Sequence, residues 1–311
     1  MLTRLRRRIT RKVRKHLFRA PHVVRAEMYR RMVRLDNEGT GGVVVRGARG
    51  EAEHAAAFRL LHEAYVEAGY MTRDASGMRL SPFQLVPTAR TVVAVVDGVV
   101  VATCGLIPDS PLGLPMDSVF DLGSLRRAGG RYGELSALAV KTRYRGQLGR
   151  LLFPMIRYLF DYGKVLGLDG LVFCVQPRHF DFYRAFLHAQ PLPKGYAAHY
   201  GAVSGAPAQA GRMHFADSLR WGQRRYRNAP ASRNVYDYLV NRNLAHVESP
   251  EYSAAPVLSP GAIQALFGAP GGVIDRLTDA QRQALLEQYP SADYRQLFGR
   301  QGTSELYACR Q

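Results

Sequence analysis

The residues whose types and spacing most plainly suggest chemistry lie between positions 134 and 150. Glu134-Leu-Ser-Ala-Leu-Ala-Val140 alternates apolar side chains and runs straight into Lys141-Thr-Arg-Tyr-Arg-Gly-Gln-Leu-Gly-Arg150, a basic, glycine-bearing turn at the head of an amphipathic stretch. A strand that feeds such a turn aims the N–H groups of the turn and of the helix N-terminus at one point. Orphan donors and the helix dipole both favour an anion there, and a phosphate suits it. Glu134 stands on the same strand, within reach of whatever lies beside that phosphate. A phosphate cradle and a carboxylate base on one element predict transfer of a group from a phosphate-bearing carrier.

The elements that must position these residues follow from periodicity. Val43–Arg46 reads as a short strand and Glu51–Ala68 as a helix with Ala55, Phe58, Leu61, Ala64, Tyr65 and Ala68 along one side. Residues 69–90, with Pro82 and Pro87, read as a substrate-facing loop. Thr91–Val96 and Val99–Leu106 are β-branched runs joined by Asp97-Gly98, a strong hairpin signal. A short helix is expected near Asp117–Ala128, then a strand over Gly133–Thr142 and a long helix over Gly146–Leu166 that Pro154 could kink. Gly170–Val175 reads as a buried strand and Phe180–His188 as a helix, with strand-like pieces near Gly195–Val203 and Gly211–Phe215. The order β-α-β-β-β-α-β-α-β-β, with a parallel pair across the long helix, predicts one mixed α/β domain over residues 41–216.

Residues 217–311 differ in character. Arg220–Arg227 is basic and holds Trp221, the single tryptophan; Pro- and Gly-rich joints then separate short helices at Val235–Asn243, Pro260–Phe267 and Thr278–Gln288. Ser259-Pro-Gly-Ala262 and Thr278-Asp-Ala-Gln281 both read as capped helix starts. This part carries no chemistry of its own and reads as a structural or partner-binding helical extension.

The net charge of +18 is uneven: residues 1–35 hold thirteen Lys and Arg against Glu27 alone. Within this arm, assigned to residues 1–40, Leu2, Leu5, Ile9, Val13 and Leu17 form one helical stripe, which Pro21 ends or kinks. A basic amphipathic helix of this kind could lie on an anionic membrane surface, bind nucleic-acid phosphates, dock an acidic protein, or pack its stripe on the body with its charges solvated. It has only Phe18 and Tyr29 as aromatics, too few for stacking on single strands. The arm precedes the first domain strand, so its removal is expected to spare activity. Cys104, Cys174 and Cys309 are scattered, without a CxxC pair or a His/Cys cluster, so neither a disulfide framework nor a metal site is expected. With no secretory h-region and no apolar run near the ~20 residues of a membrane span, the chain reads as cytoplasmic or peripheral on the inner membrane face.

Four pieces in order resemble the GNAT acyltransferase superfamily and, more narrowly, the N-acyl amino acid synthases, relatives of the acyl-homoserine-lactone synthases. They are Leu114-Pro-Met-Asp117 before a segment ending Arg126-Arg127-Ala-Gly-Gly130; Glu134-Leu-Ser136 with Leu138-Ala-Val140; His179-Phe-Asp-Phe-Tyr183-Arg184; and Gly201-Ala-Val-Ser-Gly205-Ala-Pro-Ala208. The likeness covers roughly residues 43–216. Two positions depart from the pattern. Leu148 stands where the superfamily's phosphate turn ends in Gly or Ala, and Ala137 where relatives commonly carry Arg.

The resemblance implies a GNAT-like mixed sheet flanked by helices, and transfer of a fatty acyl group from a phosphopantetheine thioester to an amino acid or similar small amine. Glu134 would draw the proton from the acceptor ammonium, with pairing to Arg143 or Arg145 as its structural alternative. Backbone N–H groups near Leu138 and Val140 would meet the oxyanion, and Tyr183 would donate to the departing thiolate or simply pack on its helix. Arg143, Arg145, Gly146 and Gly149 would hold the pantetheine phosphate, with a solvated or acid-paired turn as the alternative. Lys141, Arg150, Arg157 and Lys164 would dock the donor, an acyl-carrier protein in preference to acyl-coenzyme A, with no permanently bound cofactor. His179 would be a cap or an acceptor contact, His62 and Glu63 have no assigned role, and Phe83, Leu85 and Leu106 would line an acyl tunnel or form plain core. The alternatives are an acyl-homoserine-lactone synthase-like enzyme and, on charge alone, a nucleic-acid-binding protein.

Overall fold

The computed structural model describes residues 20–35, 42–146, 148–253, 256–289 and 291–299. The stripe from Leu2 to Leu17 lies outside them. Among the described residues the strands are β1 (Val43–Gly47), β2 (Arg90–Val96), β3 (Val99–Pro108), β4 (Tyr132–Val140), β5 (Gly170–Val175), β6 (Gln190–Tyr200) and β7 (Ala206–His214). They form one seven-stranded sheet in the order β1-β2-β3-β4-β5-β7-β6. The β4–β5 pair is parallel and its neighbours are antiparallel. The helices are α1 (His22–Met32), α2 (Gly50–Glu67), α3 (Gly123–Arg127), α4 (Leu148–Val165), α5 (Pro177–Leu187), α6 (Phe215–Tyr226), α7 (Val235–Val240), α8 (Pro260–Phe267), α9 (Asp279–Gln288) and α10 (Ala292–Phe298). The expected β-α-β-β-β-α-β-α-β-β order holds, with α3 added before β4.

Alternation along the strands sorts the core onto two faces. Val92 and Ala94 on β2, Cys104 and Leu106 on β3, and Leu171 and Phe173 on β5 pack with α4 and α5. Their sequence neighbours point the other way. Val93 and Val95 meet Ala57, Leu60 and Leu61 of α2, and Ile107 and Val172 meet Leu114 and Met116. Asp97 and Gly98 both take positive φ, the geometry a two-residue hairpin turn requires.

Several local expectations shift. The helix expected over 117–128 is a 3₁₀ turn at Pro115–Ser118 followed by the single turn of α3. The basic stretch around Trp221 belongs to α6, and α10 was not anticipated. The strand expected at 195–203 begins five residues earlier at Gln190, through Pro191 and Pro193. That is tolerated because β6 is the sheet's edge.

Neither flank stands apart from the domain. Helix α1 packs on α5: Ala26 is buried, Arg25 pairs with Asp181 at 2.6 Å, and Arg30 donates to the Ala185 carbonyl at 3.0 Å. Leu35 is buried and donates its N–H to the Ser232 carbonyl at 2.8 Å. An arm ending at residue 40 therefore includes a helix that the core depends on. On the other flank, Val45 N–H donates to the His246 carbonyl and Glu248 N–H to the Val45 carbonyl, so the extension adds a parallel bridge to the sheet edge. Helices α8–α10 build a second apolar cluster with Ala55, Phe58 and Leu85.

Candidate active site

The geometry begins with a break in the sheet. Strands β4 and β5 pair only from Tyr132↔Gly170 to Leu135↔Phe173. Beyond that β5 stays with β7, while β4 follows β3 through a register shift in which Ala137 and Leu138 stand opposite Cys104. Ala137 takes φ +59°, an unusual left-handed conformation for a residue with a Cβ. The bulge turns β4 away from β5 and opens a gap in the sheet. Lys141 N–H donates to the Val101 carbonyl on β3. Strand alternation then turns the Val140 peptide away from β3, toward the gap. The Val140 carbonyl accepts from Arg145 Nε at 3.1 Å, which agrees with that direction.

The gap opens into a cavity of about 1660 Å³, larger than the few hundred to a thousand Å³ common for small-ligand pockets. It is lined from both faces of the sheet. Glu134, Tyr65, Arg79 and Tyr200 come from the α2 face, and Leu106, Leu152, Phe173 and Tyr183 from the α4–α5 face. Residues 69–90 supply wall residues, including Phe83 and Gln84, as the proline-bearing sequence suggested. Both flanks contribute too: Met28, Tyr29 and Met32 from α1, and Leu258, Ile263 and Tyr289 from the extension. Tyr289 also anchors that wall by donating to the Leu85 carbonyl at 2.6 Å. Leu85 itself is buried in the second cluster and does not line the cavity, unlike Phe83 and Leu106.

Glu134 is 3% exposed. Neither Arg143 nor Arg145 pairs with it; Oε2 accepts the Met116 N–H at 2.8 Å. The turn bearing Met116 is held by Arg126, which is bidentate to both Asp109 and Asp117, while Asp117 also accepts the Leu114 N–H at 2.7 Å. Burial pushes the Glu134 carboxyl up to about 8, against the Met116 hydrogen bond, which lowers it. A carboxyl poised there can accept and release a proton near neutrality.

Tyr183 is buried on the opposite face, its ring stacked on Phe173 with centroids 4.7 Å apart. Burial raises its hydroxyl well above the ordinary phenol range, so it keeps its proton and can donate a hydrogen bond. Tyr200 and Cys174 share a hydrogen bond near Glu134, and burial holds the Cys174 thiol up at about 12, so it is no nucleophile at neutral pH. Sequence reasoning missed Tyr200 and Arg79, which stand on a strand end and a loop without periodic signal.

The basic turn takes the acid-paired alternative at Arg145 and the solvated one at Arg143. Gly146 takes φ +109° and opens onto the cavity, as a turn glycine can. Arg145 is bidentate to Glu67 at 2.8 and 2.6 Å, so its charge is already met. Arg143 is exposed and stacks over Tyr144, 4.8 Å from the ring centroid, beside a shallow recess it shares with Lys141. Gly149 packs against the arm: a Cβ there would come 2.6 Å from the Arg34 carbonyl oxygen. The four expected docking charges do not share one patch. Lys141 and Arg150 flank the start of α4. Arg157 is tied to Asp161 at 2.5 Å and to the Tyr238 and Arg242 carbonyls. Lys164, paired with Asp161, lies roughly 24 Å along the helix from Leu148.

His179 is a cavity-wall residue that accepts from Arg178 at 3.2 Å, and His62 is buried, accepting the Asp74 N–H at 3.0 Å. No metal-binding cluster occurs among the described residues, and no described helix is long and apolar enough to cross a membrane.

A mixed sheet that splays at a bulge, a glycine-bearing turn leading into the crossover helix and a buried carboxyl at the splay define a GNAT-type N-acyltransferase. The model of the N-acyl amino acid synthase FeeM family matches residues 56–214, about half of the 311 residues, and the chain belongs to that family. No curated protein matches it. Among solved structures, FeeM, an N-acyl amino acid synthase from uncultured soil microbes, superposes with a TM-score of 0.50 at 24% identity, over 57% of this chain and 93% of that one. The CoA-dependent acyl-homoserine lactone synthase BjaI, solved with SAM and isopentyl-CoA, gives 0.44 at 15% identity over 63% and 99%. A GNAT-family acetyltransferase from Streptococcus pneumoniae gives 0.38 at 13% over 55% and 98%.

Proposed function

We propose that this chain moves a fatty acyl group from the pantetheine thioester of an acyl-carrier protein to the amine of an amino acid or similar small amine, giving an N-acyl amino acid. The observation that carries this reading is Glu134, raised to about 8 so that its carboxylate form is populated and a strong base near neutrality, placed where β4 splays from β5 over a cavity large enough for an acyl chain. The acceptor enters as an ammonium and gives one proton to the ionised Glu134 carboxylate. The free amine attacks the thioester carbonyl, and the N–H groups of Val140 and Leu138 meet the oxyanion. When the C–S bond breaks, Tyr183 donates a hydrogen bond to the sulfur, and the second amine proton passes to the thiolate. The products are the amide and a free thiol. Glu134 and Tyr183 stand on opposite faces of the sheet, so the amine reaches the carbonyl from one side and the sulfur leaves on the other. The apolar α4–α5 side suits the acyl chain, each buried methylene contributing about 0.8 kcal/mol.

The donor is an acyl-carrier protein rather than acyl-coenzyme A. Arg145 is already paired with Glu67, and the exposed Arg143, which no carboxylate pairs with among the described residues, suits one phosphodiester better than a pyrophosphate. The net charge of +18 would steer an acidic carrier. The basic residues 1–34 would add affinity for an anionic membrane surface.

Purified protein incubated with acyl-carrier protein or acyl-coenzyme A thioesters, the twenty amino acids and SAM, followed by mass spectrometry, tests the reading. N-acyl amino acids formed faster from the carrier-protein thioester are expected. Acyl-homoserine lactone as the sole product, or no acyl transfer from either thioester, would overturn it.

A further inference from the structure

The polar end of the cavity holds one group that the acyl-transfer steps leave unused. Arg79 lies on the loop before β2, half-buried in the cavity wall on the Glu134 face of the sheet. Its guanidinium lies over the Tyr65 ring, 4.4 Å from the centroid. One nitrogen, Nη2, donates to the Ala202 carbonyl at 3.2 Å. No carboxylate pairs with it among the described residues. Two other cations of this region are spent: Arg126 is clamped by Asp109 and Asp117, and Arg145 by Glu67. The charge of Arg79 is felt at Glu134, Tyr65 and Tyr200, so all four side chains share one neighbourhood.

Stacking on Tyr65 and one bond to a carbonyl fix the plane of the guanidinium while leaving most of its N–H fork uncommitted. A fixed, uncommitted fork in a partly dehydrated wall matches a planar carboxylate. Phosphate would also match, but the glycine-bearing turn that can take a phosphate is at the start of α4, across the gap.

We infer that Arg79 binds the carboxylate of the acceptor, so that the acceptor is an amino acid held at both ends, its ammonium at Glu134 and its carboxylate at Arg79. This assignment rests on the N-acyl amino acid reading and narrows it. Simple alkylamines and carboxamides fill only one end of the subsite. Arg79 then acts as a specificity residue, with Tyr65 positioning it.

The test compares acid and amide acceptors. Using the full chain and saturating acyl donor, the amino acid that the wild type acylates fastest is run beside its own carboxamide, with wild type, R79K and R79Q. The wild type should prefer the acid. R79Q should lower kcat/KM for the acid by ~30-fold or more, mostly through KM, while changing the amide by less than ~3-fold. R79K should fall between them, because a point charge replaces the fork. The KM for the donor should stay put. If R79Q fails to fold, R79K alone decides: an acid-to-amide ratio shifted toward the amide supports the inference, and an unchanged ratio overturns it. A wild-type enzyme that acylates amino acids with no preference over their amides overturns the Arg79 assignment alone. A wild type that acylates no amino acid overturns the parent reading and this one with it.

Discussion

Met116 donates its backbone N–H to Glu134 Oε2 at 2.8 Å, joining a 3₁₀ turn to the strand eighteen residues later. One directional donor is far less than a buried carboxylate needs, so burial wins and the carboxyl stays largely protonated at neutral pH. The same turn covers the acid, which is buried yet lines the cavity. The Asp109–Arg126–Asp117 clamp is what keeps that turn in place.

The first prediction concerns turnover. Glu134→Gln preserves an acceptor for the Met116 N–H and removes the base, so kcat/KM should fall by ~10²-fold or more. The wild-type profile should rise with pH toward a plateau above an apparent pKa of about 8, set by Glu134. The variant should lack that limb. Stopped-time assays across pH 6–9 with amine at fixed concentration check it, and wild-type rates in the variant would remove Glu134 from the proton path.

The same group predicts a stability difference of opposite sense. Burial raises the carboxyl from its ordinary 4.5 to about 8 in the folded chain. The folded state therefore binds more protons than the unfolded state between those values. Its contribution is fully present below 4.5 and is lost as pH rises through about 8. Relative to Glu134→Gln, the wild type should lose up to about 1.4 kcal/mol per pH unit within that window and little beyond it. Denaturant titrations of both proteins at several pH values read the slope directly.

The flanking arm gives the third prediction. Deleting residues 1–34 removes Ala26 and Tyr29 from the core and cavity, strands Asp181 without Arg25, and uncovers Gly149. The sequence alone suggested that this deletion would leave soluble activity mostly intact. The packing of α1 predicts loss of most activity and a clearly lower Tm, measured by thermal melt and acyl transfer. An active, equally stable truncation would mean that α1 contributes neither wall nor core.

Much of the fold was legible because its signals are local. The Asp97-Gly98 hairpin, the β-branched runs and the apolar face of α4 each fix an element from a few neighbouring residues. Glu134 and the turn after β4 were legible for the same reason. What sequence could not give was set by distant partners. Arg145 looked like a phosphate ligand until Glu67, seventy-eight residues earlier, claimed it. Gly149 looked like part of a cradle, yet its missing side chain makes room for Arg34. The bulge was hidden because an alanine, not a glycine, takes the left-handed conformation at 137. The extension's helices gave no chemical signal, and only their packing shows that they close the cavity.

The fourth prediction follows at the turn. Arg143 is exposed and, among the described residues, carries no acid clamp of the kind that holds Arg145, so Arg143→Glu should raise the KM for an acyl-carrier protein by ~10-fold. Added salt should produce the same trend in the wild type, since it shortens the reach of the basic surface. Arg145→Glu should behave differently, since it sets two acids against each other at Glu67 and frees the Val140 carbonyl. Its defect should show in kcat as the end of β4 loosens. Kinetics at two salt concentrations separate the two variants.

The last prediction addresses the wall built by the C-terminal extension. Ile263 on α8 is fully buried, lines the cavity, and belongs to the same cluster as Phe58, Phe267 and Tyr289. This wall lies on the Glu134 side, so it should bound the acceptor's side chain, whereas Leu152 and Leu106 bound the acyl chain. Ile263→Ala should cost about 2–5 kcal/mol of stability, as other large-to-small core changes do, and widen the acceptor range. Ile263→Phe should shift preference toward amino acids with small side chains and leave the acyl profile unchanged. Leu152→Phe should do the reverse, shortening the preferred acyl chain with the acceptor profile intact. Mass spectrometry of products from mixed amino acids and mixed acyl donors reads both profiles at once. If Ile263→Phe shortens the acyl chain instead, the extension bounds the donor and the two sides of the cavity exchange roles.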